Sequence, residues 1–359
     1  MEDKFNTKRV LLAPLDWGLG HATRCIPIIR LLLQNKYEVF IATDGAQKIL
    51  LQQEFPTLQF LKLEGYNVRY AKTRWLLPLK ILLQIPKIVR AIKREHHWLA
   101  EMIQKHRIDL VISDNRFGLH AASAKCIFIT HQLTILLPFR FLERWVQKIN
   151  YAFINQFTCC WVPDVVGEFN LAGLLSHPPI LPMVPMHYLG LLSRFRKEEV
   201  AEIKHDYCIL LSGPEPQRTV LEEIILKDIH RLKGTVLLVR GKPGDSEFLE
   251  LPLNIEVKNH LSGNDLQVAL AESATIISRS GYTTVMEILS LQKKSILIPT
   301  PGQTEQEYLA SRLMHQQLCY SAPQDSFDLI RAVRNASQFS YTSVSLPVFD
   351  QDCLKLVNL

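Results

Sequence analysis

Apolar residues recur along the chain in short unbroken blocks, each followed by a turn of small residues and then by a longer stretch with helical spacing. In the first half the blocks are 10–15, 37–43, 58–63, 108–112, 127–130 and 159–162. Their counterparts in the second half are 207–211, 236–240, 255–257, 274–277 and 295–298. Unbroken rather than alternating apolar runs mark strands buried on both faces, as in a parallel sheet covered by helices. Helical spacing follows at 22–33, 264–271 and 283–289. Strands alternating with helices predict doubly wound α/β domains. The first is placed at 1–165 and the second at 206–335, with a proline-rich connection at 166–205. A tail, 336–359, carries a short apolar segment at 353–357 that is expected to pack back on the first domain.

In a parallel sheet the carboxyl ends of the strands share one edge, and ligands bind there. The richest corner on such an edge is Ser278-Arg279-Ser280-Gly281-Tyr282-Thr283-Thr284, with Glu287 one turn beyond. Ser280 and Gly281 break the strand and a helix starts at once, so backbone N–H groups and the positive helix end suit a phosphate. The hydroxyls of Ser278, Ser280, Thr283 and Thr284 add donors there, and Glu287 is placed to accept two ribose hydroxyls. After the next strand, Gln303, Glu305 and Gln306 crowd the start of another helix. Taken singly, these are a cap, a turn and a solvated glutamate. Their order describes a nucleotide-sugar site.

In that order the residues resemble the GT-B glycosyltransferases, specifically the branch that contains the lipid-linked N-acetylglucosaminyltransferase of peptidoglycan synthesis. The motifs that carry it are 278–287 and 303–310, and the likeness extends loosely over the whole length. The resemblance implies an α/β GT-B fold, two Rossmann-like domains facing across a cleft, with a UDP-sugar as donor substrate and neither cofactor nor metal. It implies that Glu287 binds the ribose beside Ser280, Gly281, Tyr282 and Thr283, and that Gln303, Glu305 and Gln306 hold the sugar. It further implies that Ser212, Gly213 and Arg218 face the donor phosphates and that His260 and Leu261 contact the uracil.

The loop after the first strand reads Asp16-Trp17-Gly18-Leu19-Gly20-His21. It is not a dinucleotide fingerprint, because the third glycine position holds Thr23 and the nearest acidic residue, Asp44, falls late. In the family this loop lies near the acceptor and the donor diphosphate, and Gly20-His21 match its end. His21 is the candidate general base, since an attacking hydroxyl must lose a proton and imidazole titrates near neutrality. Asp114 ends a strand on the same edge and either orients His21 or caps a helix beginning near Phe117. His131, with Gly18 and Gly20, completes the acceptor side. Two alternatives stay open. Gly20-His21-Ala22-Thr23-Arg24 also matches nucleotide-sugar hydrolases related to this family, in which water replaces the acceptor. The other is a non-catalytic nucleotide-sugar binding protein.

Composition changes the picture in one respect. The net charge of +6 is unevenly placed: 1–165 hold 23 Lys and Arg against 13 Asp and Glu, the rest 18 against 22. A basic first half suits an anionic acceptor or surface. Segment 69–107 interleaves basic residues with Trp75 and many aliphatics, and 133–145 repeats the pattern with Arg140, Arg144 and Trp145. Either these segments lie on an anionic membrane, beside a lipid-linked or glycan acceptor, or their apolar faces pack on the sheet. Nucleic acid is not expected, because no binding motif accompanies the charge. Without a leader or a long apolar run, the expected location is the cytoplasm, including the cytoplasmic face of the inner membrane. Seven cysteines without Cys-x-x-Cys spacing read as reduced thiols.

Overall fold

The computed structural model describes residues 7–66, 77–136, 140–196, 202–247 and 249–355. The chain forms two units, Met1–Arg194 with Pro347–Leu359, and Phe195–Leu346.

Unit 1 is built on seven parallel strands: β1 (Arg9–Pro14), β2 (Glu38–Thr43), β3 (Gln59–Lys62), β4 (Leu110–Asp114), β5 (Lys125–Ile129), β6 (Cys159–Val162) and β7 (Met186–Tyr188). Their spatial order is β3-β2-β1-β4-β5-β6-β7. Helices α1 (Leu19–Gln34), α2 (Gly45–Glu54), α3 (Leu77–His106) and α4 (Arg140–Ile154) lie between them in sequence. Leu11, Phe40, Val111, Phe128, Leu99 and Ile103 share one buried cluster, which is why the central strands read as unbroken apolar runs.

Three sequence expectations change here. No helix follows β4: the chain turns at 115–121, where Asn115 is left-handed at φ 56° and a side chain at Gly118 would strike the Ile92 carbonyl. Asp114 therefore caps no helix. The proline-rich segment 166–205 also holds β7, too short at three residues for any pattern to reveal. Along α3 from residue 86, Ala91, Ile92, Leu99 and Ile103 are buried while Lys87, Arg90, Lys93 and Arg94 are exposed. In that part the apolar face packs on its own unit. Residues 67–76 and 137–139 of the two basic segments lie outside the described residues, as do the side chains of 77–85.

The chain's last part belongs to unit 1. Leu191 bridges to Val348, with Leu191 N–H donating to the Pro347 carbonyl at 2.8 Å and Phe349 N–H to that of Leu191 at 3.0 Å. The short helix α10 (Asp352–Lys355) follows; residues 356–359 of the tail lie outside the described residues.

Unit 2 repeats the plan with six parallel strands, β8 (His205–Leu210), β9 (Val236–Val239), β10 (Ile255–Lys258), β11 (Ser273–Ser278), β12 (Lys294–Leu297) and β13 (Tyr320–Ser321). They stand in the order β10-β9-β8-β11-β12-β13. Its helices are α5 (Gln217–Ile229), α6 (Gly263–Ala271), α7 (Tyr282–Ser290), α8 (Thr304–His315) and α9 (Leu329–Ser337). Ile209, Leu221, Ile225, Leu238, Ile277 and Ile296 lie in its core. All seven cysteines are unpaired and buried. Among the described residues, no helix is long and apolar enough to cross a membrane.

Candidate active site

In unit 1 the register fixes the centre. Asp114, the last residue of β4, pairs with Pro14 at the end of β1 on one side and with Ile129 at the end of β5 on the other. It thus sits between the loops that follow both neighbours, next to the point where the strand order reverses, the usual ligand position in such sheets. The loop after β1 is held from two sides. Gln47 Nε2 donates to the carbonyls of Leu15 and, at 2.8 Å, Gly18, while Tyr66 N–H donates to Asp16 at 3.0 Å. Gly18 has φ +100°, a conformation L side chains rarely adopt, and Trp17 and Leu19 beside it are 43% and 40% exposed.

That loop delivers His21 in the first turn of α1, with its Nδ1 3.0 Å from Asp114 Oδ2. The imidazole keeps 15% of its surface exposed, whereas Asp114 is fully buried. Arg24, one turn along α1 and 2% exposed, grips the same carboxylate at both oxygens, Nε to Oδ2 at 2.9 Å and Nη2 to Oδ1. Its Nη1 lies 3.2 Å from Nδ1 of His131, which is also buried. Burial holds the His21 pKa below its ordinary value of 6.5 and Arg24 adds to this, while Asp114 opposes both. For Asp114, burial favours the acid, but Arg24 and then His21 outweigh it and hold the carboxyl well below the carboxylate range. A neutral imidazole against a fixed carboxylate is a group built to take up a proton. Sequence reasoning placed His21, Asp114 and His131 on this edge but gave Arg24 no role. The spacing of His21 and Arg24, three residues apart on one helix face, is the signal that points to it.

In unit 2 three corners meet in register: Leu210 pairs with Ser278, and Ser278 with Leu297. Ser212-Gly213 follow β8, Ser280-Gly281 follow β11 and 303–306 follow β12, so these expected donor residues share one edge. Gly281 is the N-cap of α7 and supplies no capping side chain. The hydroxyls of Ser278 and Ser280 turn inward onto neighbouring carbonyls. Ser278 Oγ donates to the Arg279 carbonyl at 3.1 Å, and Ser280 Oγ donates to that of Gln306 at 2.9 Å. Gln306 also shapes its loop, accepting from Thr300 N–H at 2.9 Å and donating to Gln303 Oε1 at 2.6 Å. Tyr282 and Glu287 are buried in α7; Thr283 and Glu305 are half-buried.

Arg279 is a structural stitch that the motif reading passed over. Its guanidinium is buried and donates to the carbonyls of Ile298 at 3.3 Å, Pro299 at 3.4 Å and Gln217 at 2.7 Å, and burial lowers its pKa to about 10. Arg218, expected to offer charge to a phosphate, is 3% exposed and bound to Glu215 at 2.6 Å and Glu222 at 3.1 Å. Glu222 also pairs with Arg240, so the Arg218 charge is spent within a buried network. His260 is exposed and Leu261 half-buried after β10, the outermost strand, two positions from β8. Among the described residues, no group of three or more His, Cys, Asp or Glu is placed to hold a metal ion.

Residues 219–343, most of unit 2, match the model of the glycosyltransferase family 28 C-terminal domain. The chain is a glycosyltransferase whose second unit carries a family 28 C-terminal domain. An uncharacterized glycosyltransferase of Methanosarcina mazei is 24% identical over 335 residues, 85% of this transferase and 84% of that protein. A UDP-N-acetylglucosamine--N-acetylmuramyl-(pentapeptide) pyrophosphoryl-undecaprenol N-acetylglucosamine transferase of Rhodopseudomonas palustris is 41% identical over 159 residues, 42% of this chain and 39% of that one. Among solved structures, the glycosyltransferase SnogD of Streptomyces nogalater aligns with a TM-score of 0.59 at 15% identity, covering 98% and 99% of the two chains. MurG of Acinetobacter baumannii aligns at 0.56 with 12% identity, covering 92% and 90%. These structures establish that the transferase has the GT-B fold.

Proposed function

We propose that the transferase moves a hexose or N-acetylhexosamine from a UDP-sugar to a hydroxyl of a lipid-linked or membrane-surface glycan, with inversion and without a metal. The observation that carries this reading is His21 Nδ1 at 3.0 Å from the buried carboxylate of Asp114. In a single displacement the acceptor oxygen attacks the sugar C1 as its proton passes to His21 Nε2, and the bond from C1 to the diphosphate breaks. Asp114 supports the imidazolium. Backbone N–H groups at the start of α7 face the diphosphate and stabilise its leaving charge, the part a metal plays elsewhere. Glu287 takes the ribose, and Gln303, Glu305 and Gln306 take the sugar hydroxyls. The relative of Rhodopseudomonas palustris, whose name specifies UDP-N-acetylglucosamine and a lipid-linked acceptor, supports this choice of substrates.

The test is nucleotide release from a panel of nucleotide sugars, with and without membrane lipid extract, in the presence of EDTA. Release of UDP that requires the extract supports transfer, and equal release without it points to hydrolysis. Release confined to another nucleotide, or abolished by EDTA, contradicts the reading. Because the His21 pKa lies below 6.5, the acid limb of kcat/KM should fall below pH 6.5, with activity level above it. A limb at or above pH 7 contradicts His21 as the base.

Membrane association belongs to the same reading and rests on α4, where Trp145 is 62% and Ile149 38% exposed beside exposed Arg144 and Lys148. Such a face suits the cytoplasmic surface of an anionic bilayer. Trp145→Glu should weaken co-sedimentation with phosphatidylglycerol vesicles by roughly tenfold, about 1.4 kcal/mol of lost apolar burial and added repulsion. Unchanged sedimentation removes α4 from the contact.

A further inference from the structure

We propose that Arg24 is a positioning residue for the His21–Asp114 pair: its guanidinium clamps the carboxylate and decides which ring nitrogen of His21 and of His131 carries the proton. The proposal rests on the reading of His21 as the base.

The charged and titratable groups around the His21–Asp114 pair come from three elements. Arg24 lies on α1 with Cys25, whose thiol is directed at Asp114; Asp114 ends β4, and His131 follows β5. A guanidinium donates and never accepts. The 3.2 Å approach of Arg24 Nη1 to His131 Nδ1 is therefore a hydrogen bond only in the His131 tautomer that leaves Nδ1 bare and carries its proton on Nε2. His21 Nδ1 meets a different situation. It lies 2.8 Å from Arg24 Nη2, a donor, and 3.0 Å from Asp114 Oδ2, an acceptor. It can satisfy one of them at a time.

With a proton on Nδ1, the ring donates to Asp114 and Nε2 is basic. With Nδ1 bare, it accepts from Arg24, Nε2 is protonated, and the ring cannot take a proton there. Arg24 holds both oxygens of Asp114, and this bidentate grip sets Oδ2 against Nδ1. Once Nε2 has taken the acceptor proton, the imidazolium has only donors, and its Nδ1–H goes to Asp114 while Arg24 repels it. Asp114 admits the proton and Arg24 shortens its stay. A lysine offers a point charge in place of the planar fork and cannot do all of this.

The test follows the ring nitrogens of histidine-labelled full-length protein by NMR over pH, with His21 and His131 assigned by loss of their signals in His21→Gln and His131→Gln. In the wild type His131 should be neutral with its proton on Nε2. In Arg24→Lys, which keeps the charge but loses the fork, His131 should become a mixture of tautomers; in Arg24→Met, which removes the charge, the His21 titration midpoint should rise. With UDP-N-acetylglucosamine and membrane lipid extract, Arg24→Lys should lower kcat on the order of 10²-fold with donor KM within about twofold. Arg24→Met strands a buried carboxylate; if it fails to fold, the wild-type tautomers and Arg24→Lys decide. Wild-type His131 protonated on Nδ1, or a His131 that keeps a single tautomer in Arg24→Lys, overturns the proposal. Full turnover in His21→Ala would instead remove the base reading, and the tautomers would still report on Arg24 by themselves.

Discussion

His21→Ala should lower kcat by roughly 10²- to 10⁴-fold, the usual worth of a positioned general base, and leave donor binding within about twofold. The first number follows from chemistry. An alcohol attacking a sugar carbon is a poor nucleophile until its proton leaves, and a neutral imidazole backed by a carboxylate is the proton's destination. The second follows from placement. His21 lies on α1 of unit 1, whereas the corners proposed to hold the nucleotide sugar all lie on unit 2. Steady-state kinetics at saturating acceptor, paired with calorimetry for UDP, separates the two effects. A loss of UDP affinity that accounts for the whole defect would make His21 a binding residue.

The second large effect is on folding. Asp114→Ala should destabilise unit 1 by about 3–5 kcal/mol, because it leaves the Arg24 guanidinium, 2% exposed, buried without its carboxylate. For a unit of this size that is a fall in Tm of roughly 6–20 °C by calorimetry. Asp114→Asn keeps the shape and should cost less, while still lowering kcat through the wrong His21 tautomer. The pH dependence has a definite sign. Asp114 titrates lower in the folded unit than in the unfolded chain, so its contribution is present above about pH 4 and is lost as pH falls through its folded value. His21, also lowered, adds a loss of stability that begins as pH falls below 6.5. A Tm for Asp114→Ala within about 2 °C of wild type would show that the buried pair contributes little.

What could be read in the sequence was what local chemistry writes plainly. Central parallel strands must be apolar on both faces, so β1, β4, β8 and β11 stood out as unbroken runs. Parallel pairing puts all carboxyl ends on one edge, so His21, Asp114 and His131 could be brought together without a structure. The corner at Ser280-Gly281 was legible for the same reason, since a strand that turns directly into a helix needs small residues there.

What remained hidden depends on tertiary partners. Arg24 reads as a helix-surface cation until Asp114 is placed beneath it. Arg218 reads as free charge until Glu215 and Glu222 close on it. The hydroxyls of Ser278 and Ser280 look available until the neighbouring carbonyls are fixed. The turn after β4 was misread as a helix start because the close approach of Gly118 to the Ile92 carbonyl leaves no trace in spacing. The apolar face of α3 could be matched to a membrane or to the sheet, and only packing decides between them for residues 86 onward.

The most direct test of the central claim is transfer of radiolabelled sugar from UDP-N-acetylglucosamine and related UDP-sugars into the lipid phase of a membrane extract, comparing wild type with His21→Ala. The account predicts label in the lipid phase that depends on the protein and falls by at least about 10²-fold in His21→Ala. Label that appears only as free sugar, or transfer that His21→Ala leaves intact, would contradict it.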